Sequence, residues 1–91
     1  MVRARHYRVR GRVQGVGYRY FAMEAAVRLG VTGYVRNLPT REVEVHAEAE
    51  EATLELFKRA LEQGPPLARV NEVIESDLPL SGSYSSFLIR G

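Results

Sequence analysis

The segment Gly11-Arg12-Val13-Gln14-Gly15-Val16-Gly17-Tyr18-Arg19 joins a stretch with strand periodicity to a stretch with helical periodicity. Before it, apolar residues alternate with arginines, which is typical of a strand with one solvated face. After it, alanines recur at helical spacing until Gly30, a typical helix stop. The sequence therefore predicts a strand over 5–13, a glycine turn, and a helix over 19–29.

The rest of the chain continues this alternation of elements. It predicts strands over 31–38, 42–49, 68–76 and 84–90, and a helix over 50–63. In the third strand, valines and alanines face inward, while the outward side chains are Glu42, Glu44, His46 and Glu48. The order β-α-β-β-α-β with an extra terminal strand predicts a ferredoxin-like α/β sandwich. Its mainly antiparallel sheet of four to five strands carries both helices on one face, and this fold hosts many functions.

Length and composition predict one globular domain covering residues 1–91. The chain is 45% hydrophobic and 26% charged, which is typical of a soluble protein. No apolar run approaches the ~18 residues of a membrane span, and no apolar segment follows the charged residues 1–5, so we expect a cytoplasmic protein. The absence of cysteine excludes thiolate catalysis, disulfides and cysteine-based zinc sites.

The net charge of +2 hides an uneven distribution. Residues 1–41 contain nine arginines and a single acid, whereas residues 42–91 contain four basic and ten acidic side chains. A basic first half suits an anionic ligand. An equally valid interpretation is that the two halves neutralise each other across neighbouring strands.

The glycine turn predicts a small anion pocket. A glycine-rich turn before a helix can aim several backbone N–H groups at one point, and the helix dipole adds positive potential there. Arg19, in the first helical turn, has a planar fork that fits two oxygens of a phosphate or carboxylate. The spacing matches neither the nucleotide P-loop nor the dinucleotide fingerprint. On these residues alone, an ordinary strand-to-helix turn remains an alternative.

Three segments carry a resemblance to a known family. The segment 11–19 resembles the first signature of the acylphosphatase family, and Gly33-Tyr34-Val35-Arg36-Asn37 resembles the start of the second. The closing Tyr84-Ser85-Ser86-Phe87-Leu88-Ile89-Arg90 is similar to the last strand of that family. The resemblance covers essentially the whole chain. It implies a hydrolase that converts acyl phosphates to a carboxylate and inorganic phosphate, with phosphate or sulfate as competing anions.

The resemblance also implies roles for individual residues. Arg19 would bind the phosphoryl group together with a phosphate-binding loop, and Asn37 would hold the attacking water. The loop consists of Gln14, Gly15, Val16, Gly17, Tyr18 and Arg19. The chain departs from the family pattern at Arg41 and Ala49, where glycine is common, and at Gly91, where an aromatic residue often ends the chain.

These few residues could suffice for the chemistry. The leaving group is a carboxylate whose conjugate acid has a pKa of about 4 to 5, so it needs no general acid. Phosphoryl transfer depends mainly on positioning and charge stabilisation. We therefore expect no metal and no cofactor; His6 and His46 lie on outward strand faces without a third ligand nearby in the sequence. Tyr18 and Phe21 are interpreted as packing residues.

Two alternatives belong to other functional classes. An RNA-binding module of this fold would display aromatic side chains on its central strands. Here the third strand offers acids, which repel phosphates, so we expect no nucleic-acid partner. A non-catalytic anion-binding or regulatory domain would keep the phosphate-binding loop without turnover, and the sequence leaves that alternative open. We expect no membrane partner and a monomer.

Overall fold

The computed structural model describes residues 1–91 and confirms the predicted architecture. Its elements are β1 (Val2–Arg12), α1 (Tyr18–Leu29), β2 (Thr32–Asn37), β3 (Val43–Glu50), α2 (Glu51–Gln63), β4 (Arg69–Leu78) and β5 (Phe87–Arg90). The sheet order is β4-β1-β3-β2-β5, and every neighbouring pair is antiparallel except β2 with β5. The largest boundary differences are at β1 and β5, which start three residues before and after the predicted positions.

One face of the sheet and the apolar stripes of both helices form a single core. Helix α1 contributes mainly alanines, and α2 contributes Leu54, Phe57 and Leu61. Tyr7 of β1 packs edge-on against Phe57 with 6.2 Å between ring centroids, and its burial raises its pKa to about 12. Burying each large apolar side chain contributes roughly 1.5–3 kcal/mol. Neither helix has the length and hydropathy of a membrane-spanning segment.

The connection between β4 and β5 covers the opposite face of the sheet. Because these strands lie at opposite edges, residues 79–86 have to cross the sheet. They cross the side away from the helices, where the ring of Tyr84 lies 5.0 Å from that of His46. Glu48 lies under this crossing and is only 4% exposed. Glu48 thus lies on the outward face, as predicted, but the connection excludes solvent from it, which the strand pattern did not predict.

The uneven charge distribution is largely compensated between the two halves of the chain. Five of the nine arginines in residues 1–41 form ion pairs with acids of the second half: Arg3, Arg5, Arg8, Arg10 and Arg36. Arg5 is almost fully buried and contacts Glu55 at 2.7 Å and Glu75 at 3.2 Å. Ion pairing across neighbouring elements, the second of the two interpretations, therefore accounts for most of these arginines.

Candidate active site

A small cavity lies where the glycine turn, the first turn of α1, the end of β2 and strand β5 meet. Its volume is about 210 Å³, and its walls are Val13, Gly15, Gly17, Tyr18, Arg19, Tyr20, Asn37 and Ile89. Arg19 and Asn37, the two predicted catalytic residues, therefore border the same cavity. Gln14 and Val16 of the predicted loop are not among its walls.

Gly15 and Gly17 give the turn its shape through their backbone conformation. Their φ angles are 74° and 77°, in the left-handed region that residues with a Cβ atom rarely adopt. A Cβ atom at either position would meet no other atom within 4 Å, so the dihedral angles require glycine and crowding does not. Gly17 is the N-cap of α1 and no side chain caps this helix. The first helical N–H groups therefore remain available to an anion.

Gln14 braces the turn against the β2–β3 hairpin. Its Nε2 donates hydrogen bonds to the carbonyl oxygens of Leu38 and Glu42, both at 2.9 Å. This hairpin follows Asn37 directly, so these hydrogen bonds tie the glycine turn to the strand that carries the second catalytic candidate. The sequence placed Gln14 in the loop but gave no signal for this contact. Val16 packs against the core.

The C-terminal strand holds the Arg19 side chain from the other side. Arg19 Nη1 donates a hydrogen bond to the carbonyl oxygen of Arg90 at 3.2 Å. The Arg90 guanidinium lies over the ring of Tyr34 at 4.1 Å from its centroid. The hydrogen bond from Arg19 to Arg90 depends on the parallel pairing of β5 with β2, which no local sequence pattern reveals. Arg19 forms no ion pair, so its charge is not neutralised by a protein carboxylate.

Asn37 presents an unsatisfied polar atom at this cavity. It is the last residue of β2, and its Oδ1 is buried without a hydrogen-bond partner. Buried acceptors in folded proteins are paired in the great majority of cases. An acceptor without a protein partner in the wall of a cavity is free to accept a hydrogen bond from a water or a ligand there.

The cavity has one formal charge in its walls, that of Arg19. No Asp, Glu or His lines it. The Tyr18 hydroxyl donates to the carbonyl oxygen of Leu61 at 2.7 Å, and burial raises its pKa, so Tyr18 is a neutral packing residue as predicted. Elsewhere, the two histidines pair with strand carboxylates, His6 with Glu44 and His46 with Glu48. No group of three or more His, Cys, Asp and Glu side chains has a metal-binding arrangement.

The chain is similar to several known proteins. The family model described as Acylphosphatase matches residues 5–89. The acylphosphatase of Thermus thermophilus is 58% identical over 65 residues, which cover 71% of this chain and 74% of that protein. The acylphosphatase of Solibacter usitatus is 48% identical over 87 residues, with 96% and 90% covered. The crystal structure of acylphosphatase from Bacillus subtilis superposes with a TM-score of 0.94 at 32% identity over 100% of both chains.

Proposed function

This chain belongs to the acylphosphatase family, and we propose that the cavity bordered by Arg19 and Asn37 is its active site. The protein is a hydrolase that acts on acyl phosphates, which are small-molecule substrates. Under this proposal, residues 1–91 act as a single domain. The observation that supports the location best is the buried, unpaired Oδ1 of Asn37 in the same walls as the unneutralised Arg19.

Arg19 and the backbone N–H groups of the turn bind the phosphoryl group. The guanidinium provides two parallel donors for two phosphoryl oxygens, and such charge-assisted pairs are about twice as strong as neutral hydrogen bonds. The uncapped N-terminus of α1 adds donors and positive potential. Together they stabilise the negative charge that spreads over the equatorial oxygens during the reaction.

The reaction displaces a carboxylate from phosphorus. A water oxygen forms the new bond to phosphorus, and the bond between phosphorus and the acyl oxygen breaks on the opposite side. The acyl oxygen keeps the bonding electron pair and leaves as a carboxylate. Because its conjugate acid has a pKa of about 4 to 5, it leaves without a proton and no general acid is required. The absence of acids from the cavity walls fits this chemistry.

Asn37 orients the attacking water. Its Oδ1 accepts a hydrogen bond from the water and directs the oxygen lone pair toward phosphorus. A neutral amide is too weak a base to take the proton. The water proton therefore passes to a nonbridging phosphoryl oxygen of the substrate, and inorganic phosphate is the second product. Asn37 contributes through positioning.

The proposal requires neither a metal ion nor a cofactor. Magnesium is usually held by carboxylates, and none borders the cavity. No nucleic-acid partner is invoked, because Tyr34 is covered by Arg90 and stacks on His46, next to paired carboxylates. The exposed large apolar side chains are spread over several elements, which supports a monomer. A cytoplasmic location stays a prediction.

Two measurements test the site. Hydrolysis of benzoyl phosphate without added metal should exceed the spontaneous rate and be inhibited competitively by inorganic phosphate. In an amide NMR titration with phosphate, the largest shifts should occur at Gly15, Gly17 and Arg19. Shifts concentrated elsewhere would place the site elsewhere. Phosphate binding without accelerated hydrolysis would favour the non-catalytic anion-binding alternative.

A further inference from the structure

A second hollow adjoins the active-site cavity. It measures about 410 Å³ and is lined by Gly11, Arg12, Val13, Gln14, Gly15 and Arg41. Val13 and Gly15 also border the active-site cavity, so the two spaces share a wall along the glycine turn. Arg12 and Arg41 are both exposed, and neither is within ion-pair distance of a carboxylate. Two uncompensated cations therefore stand beside the phosphate-binding turn.

Arg41 occupies a backbone conformation that disfavours any side chain. Its φ is 75°, and it is the single non-glycine residue of the chain with a positive φ. The turn is closed by a hydrogen bond from Arg41 N to Leu38 O at 3.1 Å. A residue with a Cβ atom rarely adopts this left-handed conformation, because its Cβ lies too close to the following carbonyl oxygen. A strained position that keeps a long charged side chain without a protein partner suggests a functional use of that side chain.

The surface on the other side of Arg41 carries less unpaired positive charge. A larger hollow of about 700 Å³ lies there, and its walls include Arg10, Glu42 and Glu72. Arg10 contacts Glu42 at 3.1 Å and Glu72 at 3.5 Å, and Arg8 contacts Glu42 at 3.1 Å, so every charge in these walls except that of Arg41 is paired. An anion would meet carboxylates there, whereas no carboxylate lines the hollow between Arg12 and Arg41.

We propose that Arg12 and Arg41 form a second anion subsite that binds a carboxylate or phosphate group on the acyl part of the substrate. This inference rests on the proposed active site, because the acyl part is the portion of the substrate that extends beyond the phosphoryl cavity. Guanidinium forks bind both oxyanions in a bidentate way. The preferred substrates are therefore acyl phosphates whose acyl group carries a further negative charge.

Three aromatic substrates measure the effect of a second negative charge on hydrolysis. Benzoyl phosphate, 4-carboxybenzoyl phosphate and 4-phosphonobenzoyl phosphate share the ring and the scissile bond, and they differ in the para group. For each variant, kcat/KM of a charged substrate is divided by kcat/KM of benzoyl phosphate. The intrinsic effect of the para group on the leaving carboxylate cancels when this ratio is compared with that of the wild type. The two charged substrates distinguish carboxylate from phosphate recognition.

Arg12→Gln and Arg41→Gly should each lower this ratio by about fivefold, which is the scale of one exposed charge-assisted contact. Arg41→Lys should lower it less, because lysine keeps the charge and loses the fork. Arg28→Gln is the matched control, since Arg28 is exposed, forms no ion pair and lies outside both cavities. Its ratio should equal that of the wild type. Raising the ionic strength should lower the wild-type ratio.

Several outcomes would overturn the inference. One is an unchanged ratio in both Arg12→Gln and Arg41→Gly; another is an equal loss on charged and uncharged substrates, which would show a structural role in the hairpin. Failure of the wild type to hydrolyse benzoyl phosphate would count against the proposed active site instead. In that case, calorimetry can measure the affinities of 4-carboxybenzoylphosphonate and benzoylphosphonate, and the ratio of these affinities replaces the ratio of kcat/KM values. Equal affinities would refute the subsite.

Discussion

The carboxylate of Glu48, on the sheet face away from the helices, and the amide oxygen of Asn37, in the proposed active-site cavity, are both buried but differ in their hydrogen bonding. On that face, the carboxylate of Glu48 accepts hydrogen bonds from Ser81 Oγ at 2.6 Å, His46 Nε2 at 2.7 Å and Gly82 N at 3.1 Å. In the cavity, Asn37 Oδ1 has no partner. A satisfied buried group contributes to stability, whereas an unsatisfied buried acceptor costs about 1–3 kcal/mol. The contrast separates a structural network from an acceptor that remains free for the water or ligand of the proposed site.

Replacing Arg19 should have the largest effect on the cavity. Arg19→Ala removes the single charge in its walls, and we expect kcat/KM for benzoyl phosphate to fall by about 10³-fold or more. Inhibition by inorganic phosphate should disappear as well. Arg28→Ala on the same helix is the control and should behave like the wild type. Retention of phosphate inhibition in Arg19→Ala would show that the anion binds elsewhere.

Replacing Asn37 tests whether the unpaired acceptor acts on water. Asn37→Ala should lower kcat by about 10²-fold, while the inhibition constant of phosphate changes little, because Asn37 contacts the nucleophile and Arg19 contacts the anion. Asn71→Ala, at an exposed position of β4, serves as the control. A large loss of phosphate affinity in Asn37→Ala would contradict the assigned role and weaken the contrast between the two regions.

Replacing Glu48 should affect stability and leave catalysis unchanged. Glu48→Gln weakens a buried charge-assisted network, and we expect the free energy of unfolding at pH 7 to fall by about 1–3 kcal/mol. Urea unfolding measures this loss, and kcat/KM for benzoyl phosphate should match the wild type. Reduced activity in a fully folded Glu48→Gln variant would show that the far face also supports the cavity.

The contribution of Glu48 to the free energy of unfolding should depend on pH. Burial alone would raise the pKa of Glu48, but hydrogen bonds from His46, Ser81 and Gly82 outweigh it and lower the pKa below 4.5. The carboxylate therefore stabilises the fold fully above pH 4.5, and this contribution is lost as the pH falls through the lowered value. Wild type and Glu48→Gln should accordingly converge in stability at low pH. A constant difference down to pH 3 would contradict this linkage.

The sequence predicted the features of the two regions to different extents, and the reason is physical. Strand alternation, helical spacing and the glycine turn are local patterns, and they predicted every element. Asn37 was assigned through the resemblance to the acylphosphatase family, and the fold brings it to the same cavity as Arg19. The burial of Glu48 was missed, because it depends on a connection that crosses from one edge of the sheet to the other.

Local sequence patterns also gave no sign of the contacts that position the residues of the proposed site. The carbonyl oxygen of Arg90 reaches Arg19 through the parallel pairing of β5 with β2, and the Gln14 side chain spans to the following hairpin. Both contacts join segments that are distant in sequence. Periodicity reports which face of an element is buried and carries no information on such partners.

Removing metal ions should have the smallest effect. Incubation with EDTA, followed by assay with benzoyl phosphate, should leave kcat and KM unchanged, and added magnesium should not raise them. The reason lies in the same contrast: the carboxylates of the far face are engaged by His6, His46 and Arg36, and the cavity has no carboxylate that could hold a cation. Strong inhibition by EDTA, reversed by a divalent ion, would show that Arg19 and the turn do not stabilise the phosphoryl group alone. The cavity would then owe its charge stabilisation to a metal held by oxygens other than carboxylates.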